Sequence, residues 1–522
     1  MTSRSAPDVA EVETPGPLSR TLRRGAAIAT GMLVFTQLVS LAQTLVLARL
    51  LSPAEVGWFA AGTVLSGFLV TFAEAGMANA LVQRQDRLDD ATATVFWSTL
   101  LAGVGWAVLA LACAPLMSWI FGSDIVGLIA AVSSGTIVLH ALTYVPDALM
   151  QRRFDFRERY IVQPVTVVTF AVTSVAFCAN GFGVWGLVIG SYCSVAAWLV
   201  ASWTLAGWRP GARGRPSLAL WRELAGFSVP LVVWNVINQA RDLLETAVVG
   251  AALNATALGY YRYGRRLGSL PEIAVIDVGS YVLFPAFSRL AVDAERFRAA
   301  FLRALQVLWC LIVPVAFFII AAGEPLVAVL LGEKWRGAGV MLVALAGVGP
   351  GVALMAVGME SIKGIGRTRR LHWVTVVSTG LGVGLLFALL PLGLTGVGLA
   401  LSASSLTAGV LSVLLARPLA AVTFGELAHR LIPPILVAVL PAVVVKLSEV
   451  TFLHSDQRGF LLGSVMLLAE GAAYLALYGA GLALCAPAAW RELSSAVRQL
   501  RRRGEDTHDT MNADVPADQR DS

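Results

Sequence analysis

The sequence is poor in the residues that soluble enzymes and metal proteins depend on. Among its 522 residues there are only five cysteines and five histidines. The cysteines share no spacing and no two histidines form an HxxxH pair, so the sequence indicates neither a disulfide framework nor a metal site. It also contains no phosphate-binding loop and no nucleophile constellation. We therefore expect a protein that is not an enzyme and needs no cofactor.

Charge is scarce as well, and apolar residues take its place. Charged residues are 14% of the chain, against about a quarter in a soluble protein. Hydrophobic residues are 57%, and they occur in blocks of about 20, enough to cross a hydrocarbon layer roughly 30 Å thick. The sequence predicts an all-α polytopic membrane protein with fourteen spans, near residues 26–48, 57–82, 92–120, 125–150, 161–180, 184–207, 226–250, 259–287, 302–330, 338–362, 371–391, 395–416, 431–447 and 460–485.

Successive connections between these spans are alternately rich and poor in basic residues. With a cytoplasmic N-terminus, 29 of the 39 Lys and Arg fall in cytoplasmic segments and five fall in external loops. This positive-inside bias predicts that both termini are cytoplasmic. It also accounts for the net charge of +6, so no nucleic-acid partner is expected.

Two halves of the chain resemble each other. LSPAEVGWFAAG at 51–62 matches LNATALGYYRYG at 253–264, PLMSWIFG at 115–122 matches PLVAVLLG at 325–332, and GFGVWGL at 181–187 matches GLTGVGL at 393–399. Each repeat holds six spans, and an even number leaves both copies in the same orientation. Parallel repeats of this kind are typical of transporters.

The repeat predicts the domain plan. We expect a cytoplasmic arm at 1–24, an N-terminal lobe at 25–208, a C-terminal lobe at 209–420, two further spans at 421–486, and a partly disordered cytoplasmic tail at 487–522.

Polar side chains inside the spans concentrate on the first two helices of each copy. Because lipid-facing surface must be apolar, these side chains predict a hydrophilic cavity lined by spans 1, 2, 7 and 8. The candidate residues are Gln37, Gln43, Glu74, Asn79, Asn235, Asn238, Gln239, Arg241, Asp242, Glu245, Arg262, Arg265, Arg266 and Asp277.

The charged members of this set have more than one interpretation. Glu74, Asp242, Glu245 and Asp277 are candidates for coupling to protons or sodium, or each neutralises a neighbouring arginine. The cluster Arg262, Arg265 and Arg266 suits an anion, because a guanidinium binds phosphate oxygens in pairs. Alternatively these arginines form salt bridges to span 7 or reach to the membrane surface.

Several motifs resemble one family. ARLLSPAEVGWFAAGTVLSGFLVTFAEAGMANALVQRQD (48–86), ALGYYRYGRRLGSLP (257–271), FPAFSRL (284–290) and PLVAVLLGEKWRGA (325–338) occur in the family's order and spacing. They are similar to segments of the polysaccharide, or O-antigen type, flippases of the multidrug/oligosaccharidyl-lipid/polysaccharide exporter superfamily. The resemblance covers residues 25–420.

The resemblance implies two six-helix lobes around a V-shaped cavity in a bacterial cytoplasmic membrane. It implies a substrate, a glycan on undecaprenyl pyrophosphate, and as further partners membrane lipids and polysaccharide polymerase and export proteins. Arg266-Leu267 matches the family pattern, while Arg262 and Arg265 are additions to it. Glu245 stands where the family has an aspartate.

The sequence thus favours a lipid-linked oligosaccharide flippase that works by alternating access. A cation-coupled multidrug antiporter on the same fold is the main alternative, although it should have an acidic rather than an arginine-rich cavity. A glycan polymerase or ligase would need a large external loop. A scaffold without transport activity would not need charges inside the membrane.

Overall fold

The structure is a computed structural model that describes residues 17–74, 77–84, 86–152, 156–210, 214–278, 282–495 and 498. All regular elements in these ranges are helices. The chain forms two compact units, Met1–Ala251 and Ala252–Ser522. The helices of the first unit are α1 (Pro17–Leu50), α2 (Pro53–Glu74), α3 (Met77–Gln83), α4 (Leu88–Ala112), α5 (Ala114–Phe121), α6 (Asp124–Ser133), α7 (Gly135–Ala141), α8 (Tyr144–Arg152), α9 (Phe156–Ala179), α10 (Val184–Ala206) and α11 (Leu218–Ala252).

The described residues of the second unit form nine α-helices. They are α12 (Ala255–Val278), α13 (Phe284–Leu290), α14 (Ala294–Leu331), α15 (Arg336–Ala344), α16 (Val348–Gly364), α17 (Arg369–Leu389), α18 (Gly393–Ala416), α19 (Phe424–Ser448) and α20 (Phe460–Cys485). Short 3-10 or π turns occupy Glu333–Trp335, Leu390–Leu392, Glu449–Leu453 and Ser455–Gln457.

Eleven helical stretches among the described residues are long and apolar enough to cross a membrane. One of them, Arg369–Ala416, holds both α17 and α18, so the eleven correspond to twelve of the predicted spans. The other two predicted spans are α11 and α12, whose charged and amide side chains lower their mean hydropathy. The predicted class, an all-α polytopic membrane protein, is confirmed.

Large apolar side chains point outward on these helices. Leu101, Trp119 and Leu461 are 69%, 80% and 79% exposed. Exposure of this kind would be unfavourable in water, but it matches contact with lipid chains.

Five of the predicted blocks contain more than one helix. The second block holds α2 and α3, the third holds α4 and α5, the fourth holds α6, α7 and α8, the eighth holds α12 and the start of α13, and the tenth holds α15 and α16. Apolar composition is the same on both sides of each division, so hydropathy alone does not reveal it.

At these breaks, side chains of the sixth span of each copy, α10 or α18, donate hydrogen bonds to backbone carbonyls. In the first unit the Tyr192 hydroxyl donates to the carbonyl of Val132, and the Trp203 indole donates to the carbonyl of Leu142 at 2.9 Å. In the second unit Ser402 Oγ donates to the carbonyl of Ala344 at 2.6 Å. Carbonyls released by a break inside a membrane need such donors, since no water is available.

The same breaks reveal the repeat in three dimensions. Within each unit, the fourth span of the copy is interrupted, and the sixth span (α10 or α18) supplies the donors. The sequence predicted this equivalence only through short motif matches.

Matched positions at the start of the second span of each copy also behave alike. Ser52 Oγ accepts from the Glu55 amide at 3.4 Å, and Asn254 Oδ1 accepts from the Ala257 amide at 2.8 Å. Both are N-caps, and they stand at corresponding positions of the two LSP-like motifs. The repeat therefore preserves how the helix begins.

Two glycines of the same motifs permit close helix crossings. A Cβ at Gly62 would lie 2.4 Å from Ile129 Cγ2 of α6, and a Cβ at Gly264 would lie 2.8 Å from Met341 Cβ of α15. Real Cβ atoms do not approach so closely. Each glycine thus lets the second span of its copy pack on the fourth.

The first turns of α11 belong with the first unit. The Arg84 guanidinium pairs with Glu223 at 2.9 Å, the Ser217 amide donates to Thr94 Oγ1 at 3.0 Å, and Leu224 lies in the apolar cluster of α3, α4 and α8. The predicted lobe boundary at 208 and 209 stays a prediction.

Candidate functional site

The three arginines of the predicted cluster lie on one side of α12. At 100° per residue, Arg262, Arg265 and Arg266 span an arc of about 100°. All three side chains are half-buried. Arg265 Nη1 donates to the Tyr261 hydroxyl at 3.0 Å, and the Arg265 guanidinium carbon is 6.0 Å from the Tyr261 ring centroid. A tyrosine one turn away therefore positions Arg265, at one edge of this arc.

The other side of α12 is a packing surface. Tyr263 stacks on Trp335 with ring centroids 4.2 Å apart, and the Tyr260 hydroxyl donates to the carbonyl of Lys334 at 3.1 Å. Gly264 faces α15, and Tyr261 and Trp335 are both fully buried. Aromatic residues and a glycine pack this side of α12 against other parts of the second unit. This packing fixes the rotation of α12 about its axis, and therefore the direction of the opposite side, the arginine face formed by Arg262, Arg265 and Arg266.

The polar stripe of α11 contains an internal ion pair. Arg241 Nε lies 2.7 Å from Glu245 Oε1, with the side chains 38% and 3% exposed. The spacing of four residues brings the two groups together on one helix face. Asn235 and Gln239 are exposed and Asp242 is half-buried. Among the interpretations for Glu245, neutralisation by a neighbouring arginine is the one that this geometry matches.

The polar stripe of α1 is partly buried in helix packing. Gln43, which is 7% exposed, donates to Ser174 Oγ of α9 at 3.1 Å. The hydroxyls of Thr36 and Thr44 donate to the carbonyls of Leu33 and Ser40 of the same helix, at 2.8 and 2.7 Å. Gln37 is half-buried. Gln43 thus has a helix-packing partner, and its contact with a substrate stays a prediction.

Four candidate side chains lie outside the described part of the structure. They are Glu74, Asn79, Asn238 and Asp277. The backbone places Asn79 in α3, after the second span has divided, rather than in one continuous helix. The role of Glu74 and Asp277 in ion coupling stays a prediction.

The sequence reasoning missed two residues that shape this region. The motif match aligns Tyr261 with Phe59 of the first copy and gives it no role at the site, and Ser174 belongs to no motif. A signal for Tyr261 was present, since a tyrosine four residues before an arginine shares its helix face. Nothing in the sequence marks Ser174, because its partner is 131 residues away.

The arrangement places three guanidinium groups on one side of α12. Among the described residues, no three His, Cys, Asp or Glu side chains gather as a metal site would require. Three half-buried guanidinium groups on one helix face suit an anionic group with several oxygen atoms.

Comparison with known proteins identifies the family of the chain. A family model described as "Polysaccharide biosynthesis protein" matches residues 46–339, more than half of the chain. The succinoglycan biosynthesis transport protein ExoT of Rhizobium meliloti (strain 1021) is 27% identical over 333 residues, covering 64% of this chain and 67% of ExoT. The lipopolysaccharide biosynthesis protein WzxC of Escherichia coli (strain K12) is 26% identical over 316 residues, covering 59% of this chain and 62% of WzxC. The chain thus spans about two thirds of the length of these relatives.

Solved structures share the fold. The lipid II flippase MurJ in an inward closed conformation has a TM-score of 0.69 at 16% identity, covering 87% of this chain and 99% of MurJ. An inward-facing multidrug resistance MATE family transporter of the MOP superfamily has a TM-score of 0.60 at 18% identity, covering 74% of this chain and 94% of the transporter. At these identities the likeness establishes the fold alone.

Proposed function

Since the chain belongs to the polysaccharide biosynthesis protein family, with the fold of the multidrug/oligosaccharidyl-lipid/polysaccharide exporter superfamily, we propose that it is a flippase. Its membership confirms the resemblance that the motifs indicated. The substrate in this proposal is an oligosaccharide linked to undecaprenyl pyrophosphate, which the protein moves across the bacterial cytoplasmic membrane by alternating access. The product serves the synthesis of cell-surface polysaccharide.

The observation that carries the proposal is the arginine face of α12. Arg262, Arg265 and Arg266 share one side of a membrane helix. The buried Tyr261 accepts a hydrogen bond from Arg265 and holds it in place. Arginine keeps its charge at any physiological pH and binds phosphate oxygens through a planar fork. A pyrophosphate offers several such oxygens, whereas a cationic drug would be repelled.

The remaining polar candidates have roles in the same proposal. Amide side chains hydrogen-bond sugar hydroxyls; Asn235 and Gln239 are exposed, and Gln37 is half-buried. Glu74, Asp242 and Asp277 stay candidates for ion coupling. Glu245 already pairs with Arg241, so we assign it a structural role first.

The decisive experiment is reconstitution of the full chain in vesicles that contain a fluorescent undecaprenyl-pyrophosphoryl glycan. Translocation is read from the fraction of the glycan that becomes accessible on the opposite side. We expect the triple variant Arg262→Gln, Arg265→Gln, Arg266→Gln to translocate at least about tenfold more slowly, because each lost charge-assisted hydrogen bond is worth about 1.5–3 kcal/mol.

A matched control removes an arginine that is exposed and distant in sequence. Arg296 is 78% exposed and pairs with Asp293 before α14, so Arg296→Gln should translocate at the wild-type rate. Unchanged translocation by the triple variant would refute the arginine role. If no lipid-linked glycan moves but a cationic dye does, the chain is a cation-coupled multidrug antiporter instead.

A further inference from the structure

Two glutamates lie buried between α19 and α20, the pair of helices that follow the repeat. Glu449 begins the short π-helical turn after α19, and Glu470 lies within α20. Each is only 6% exposed. Glu470 stands ten residues after Phe460, which is about 15 Å along the helix and half the thickness of a hydrocarbon layer.

Glu449 accepts hydrogen bonds on both of its carboxylate oxygens. Its Oε1 accepts from the Ser455 amide at 2.8 Å, and its Oε2 accepts from Ser455 Oγ at 2.9 Å. Ser455 is fully buried. Two donors on one carboxylate stabilise its ionised form.

Glu470 is satisfied on one oxygen only. Its Oε1 accepts from Ser448 Oγ at 2.9 Å, and its Oε2 is buried without a hydrogen-bond partner among the described residues. Ser448 directly precedes Glu449 in the chain, so the hydrogen bond from Ser448 brings the carboxyl of Glu470 close to Glu449. A buried acceptor oxygen without a donor is expensive in an apolar layer unless it carries a proton itself.

No described cation neutralises either glutamate. On α19 the side chain of Lys446 is exposed, and in the following segment Arg458 donates to the carbonyl of Leu453. Arg336 is engaged by Glu333 and Asp456. Other titratable groups on the elements around the pair include Glu324 of α14, Tyr474 and Tyr478 of α20, and His454 of the connecting segment.

Two buried carboxylates close together resist ionising at the same time, since like charges at short range raise the energy of the doubly ionised state. We propose that Glu449 and Glu470 form a proton-binding site, in which one proton on Glu470 Oε2 is donated to the carboxylate of Glu449. Binding forms one O–H bond with a proton taken from water, and release returns that proton to water.

The occupancy of this site sets the charge between α19 and α20. With the proton bound, the pair carries one negative charge that the two donors of Ser455 stabilise; with the proton released, it carries two. The site shares no residue with the arginine face on α12. A failure of this proposal can therefore be distinguished from a failure of the proposed flippase activity.

Infrared difference spectroscopy on the full chain in vesicles tests the site directly. The C=O stretch of a protonated, buried carboxylic acid is distinct from the bands of a carboxylate. As the pH is raised in steps, we expect one such band to persist at pH values where exposed carboxyls, with pKa values near about 4.3, have ionised. Glu470→Gln should abolish the band.

The neighbouring glutamate supplies a second readout. Glu449→Gln removes the negative charge that holds the proton, so the midpoint of the band should move to lower pH, by at least about tenfold in proton concentration. Glu492→Gln is the control, because Glu492 is paired with Arg430 at 2.8 Å and its loss should leave the band unchanged.

Three results would overturn the proposal. A band that survives Glu470→Gln belongs to another group, and its absence from the wild-type chain means that no proton is held. If Glu470→Gln does not fold, Glu470→Asp moves the carboxyl by one methylene and must shift the frequency or midpoint of the band. Displacement of the proton by sodium at constant pH would assign the site to a metal cation.

Discussion

At the scale of single residues, the molecule shows how a membrane helix carries charge. Arg265 is held by a tyrosine of its own helix, and Arg241 by a glutamate of its own helix. In both cases the partner lies four residues away, so the helix period itself brings the groups together. The sequence predicted the arginines and their shared face, and for the acidic residues it left open ion coupling or neutralisation of a neighbouring arginine; Glu245 shows the second.

Removal of the Tyr261 hydroxyl should show how much the position of Arg265 matters, because the charge of Arg265 stays the same. Tyr261→Phe keeps the buried ring and deletes only the hydroxyl that accepts from Arg265. We expect the glycan concentration for half-maximal translocation to rise about threefold to tenfold, because a hydrogen bond to a charged group is worth about 1.5–3 kcal/mol and part of it is recovered by rearrangement.

The control for this substitution is the neighbouring tyrosine. Tyr260→Phe deletes a hydroxyl that bonds to the carbonyl of Lys334 on the packing side of α12. It should lower thermal stability slightly and leave the half-maximal concentration unchanged. An equal effect of both variants would mean that Tyr261 does not position Arg265.

Loss of the cation beside Glu245 should destabilise the first unit. In Arg241→Gln the almost fully buried Glu245 loses its ion pair, and we expect the free energy of unfolding to fall by about 1–2 kcal/mol, since Arg241 itself is partly exposed. Thermal unfolding of the purified chain in detergent measures this loss. The exposed pair of Arg296 and Asp293 is the reference, and Arg296→Gln should change stability by less than about 0.5 kcal/mol.

At the scale of helices, the breaks in the fourth and tenth spans are the features that the sequence could not predict. Ser, Tyr and Trp side chains close them from helices about 60 residues away. Hydropathy predicts where a helix is apolar, but it carries no information about a carbonyl that has lost its partner. The number of apolar segments was predictable, and their interruptions were not.

Deletion of one closing donor should cost stability. Tyr192→Phe leaves the carbonyl of Val132 without its hydroxyl donor, so we expect a loss of about 1–2 kcal/mol. Ser191→Ala is the control, because the hydroxyl of Ser191 bonds only within its own helix, to the carbonyl of Val188 at 2.7 Å. Equal melting temperatures for the two variants would show that the break does not depend on Tyr192.

The glycine crossings test the repeat itself. Gly62→Ala and Gly264→Ala would each bring a methyl group against the facing helix, and each should lower stability by about 1–3 kcal/mol. Gly67→Ala, on the same helix as Gly62 but with nothing within 4 Å, should be neutral or slightly stabilising. If only one of the first two variants is destabilised, the copies do not share this crossing.

At the scale of the whole chain, composition and charge alternation predicted the class of the molecule well. The fourteen apolar blocks correspond to the eleven candidate membrane stretches together with α11 and α12, once α17 and α18 are counted separately. The polar candidate set was less predictable, since Gln43 is used in helix packing and Glu245 in a local ion pair. A polar residue in an apolar segment indicates a partner, but it does not say which one.

The predicted orientation can be checked by cysteine labelling in a variant that lacks the five natural cysteines. Gln457 lies in a predicted external loop and Asp89 in a predicted cytoplasmic one, and both side chains are exposed. With a membrane-impermeant maleimide, Gln457→Cys should be labelled in intact cells and Asp89→Cys only after permeabilisation. The reverse pattern would mean that the termini are external.

The paired N-caps and glycine crossings have a consequence for ancestry. A repeat copy of six spans begins and ends on the same side of the membrane. A tandem gene duplication can therefore join two such copies in frame without inverting either one. The arginines of α12 have no counterparts in α2, so one copy alone carries a charge that two identical copies would have had to carry twice.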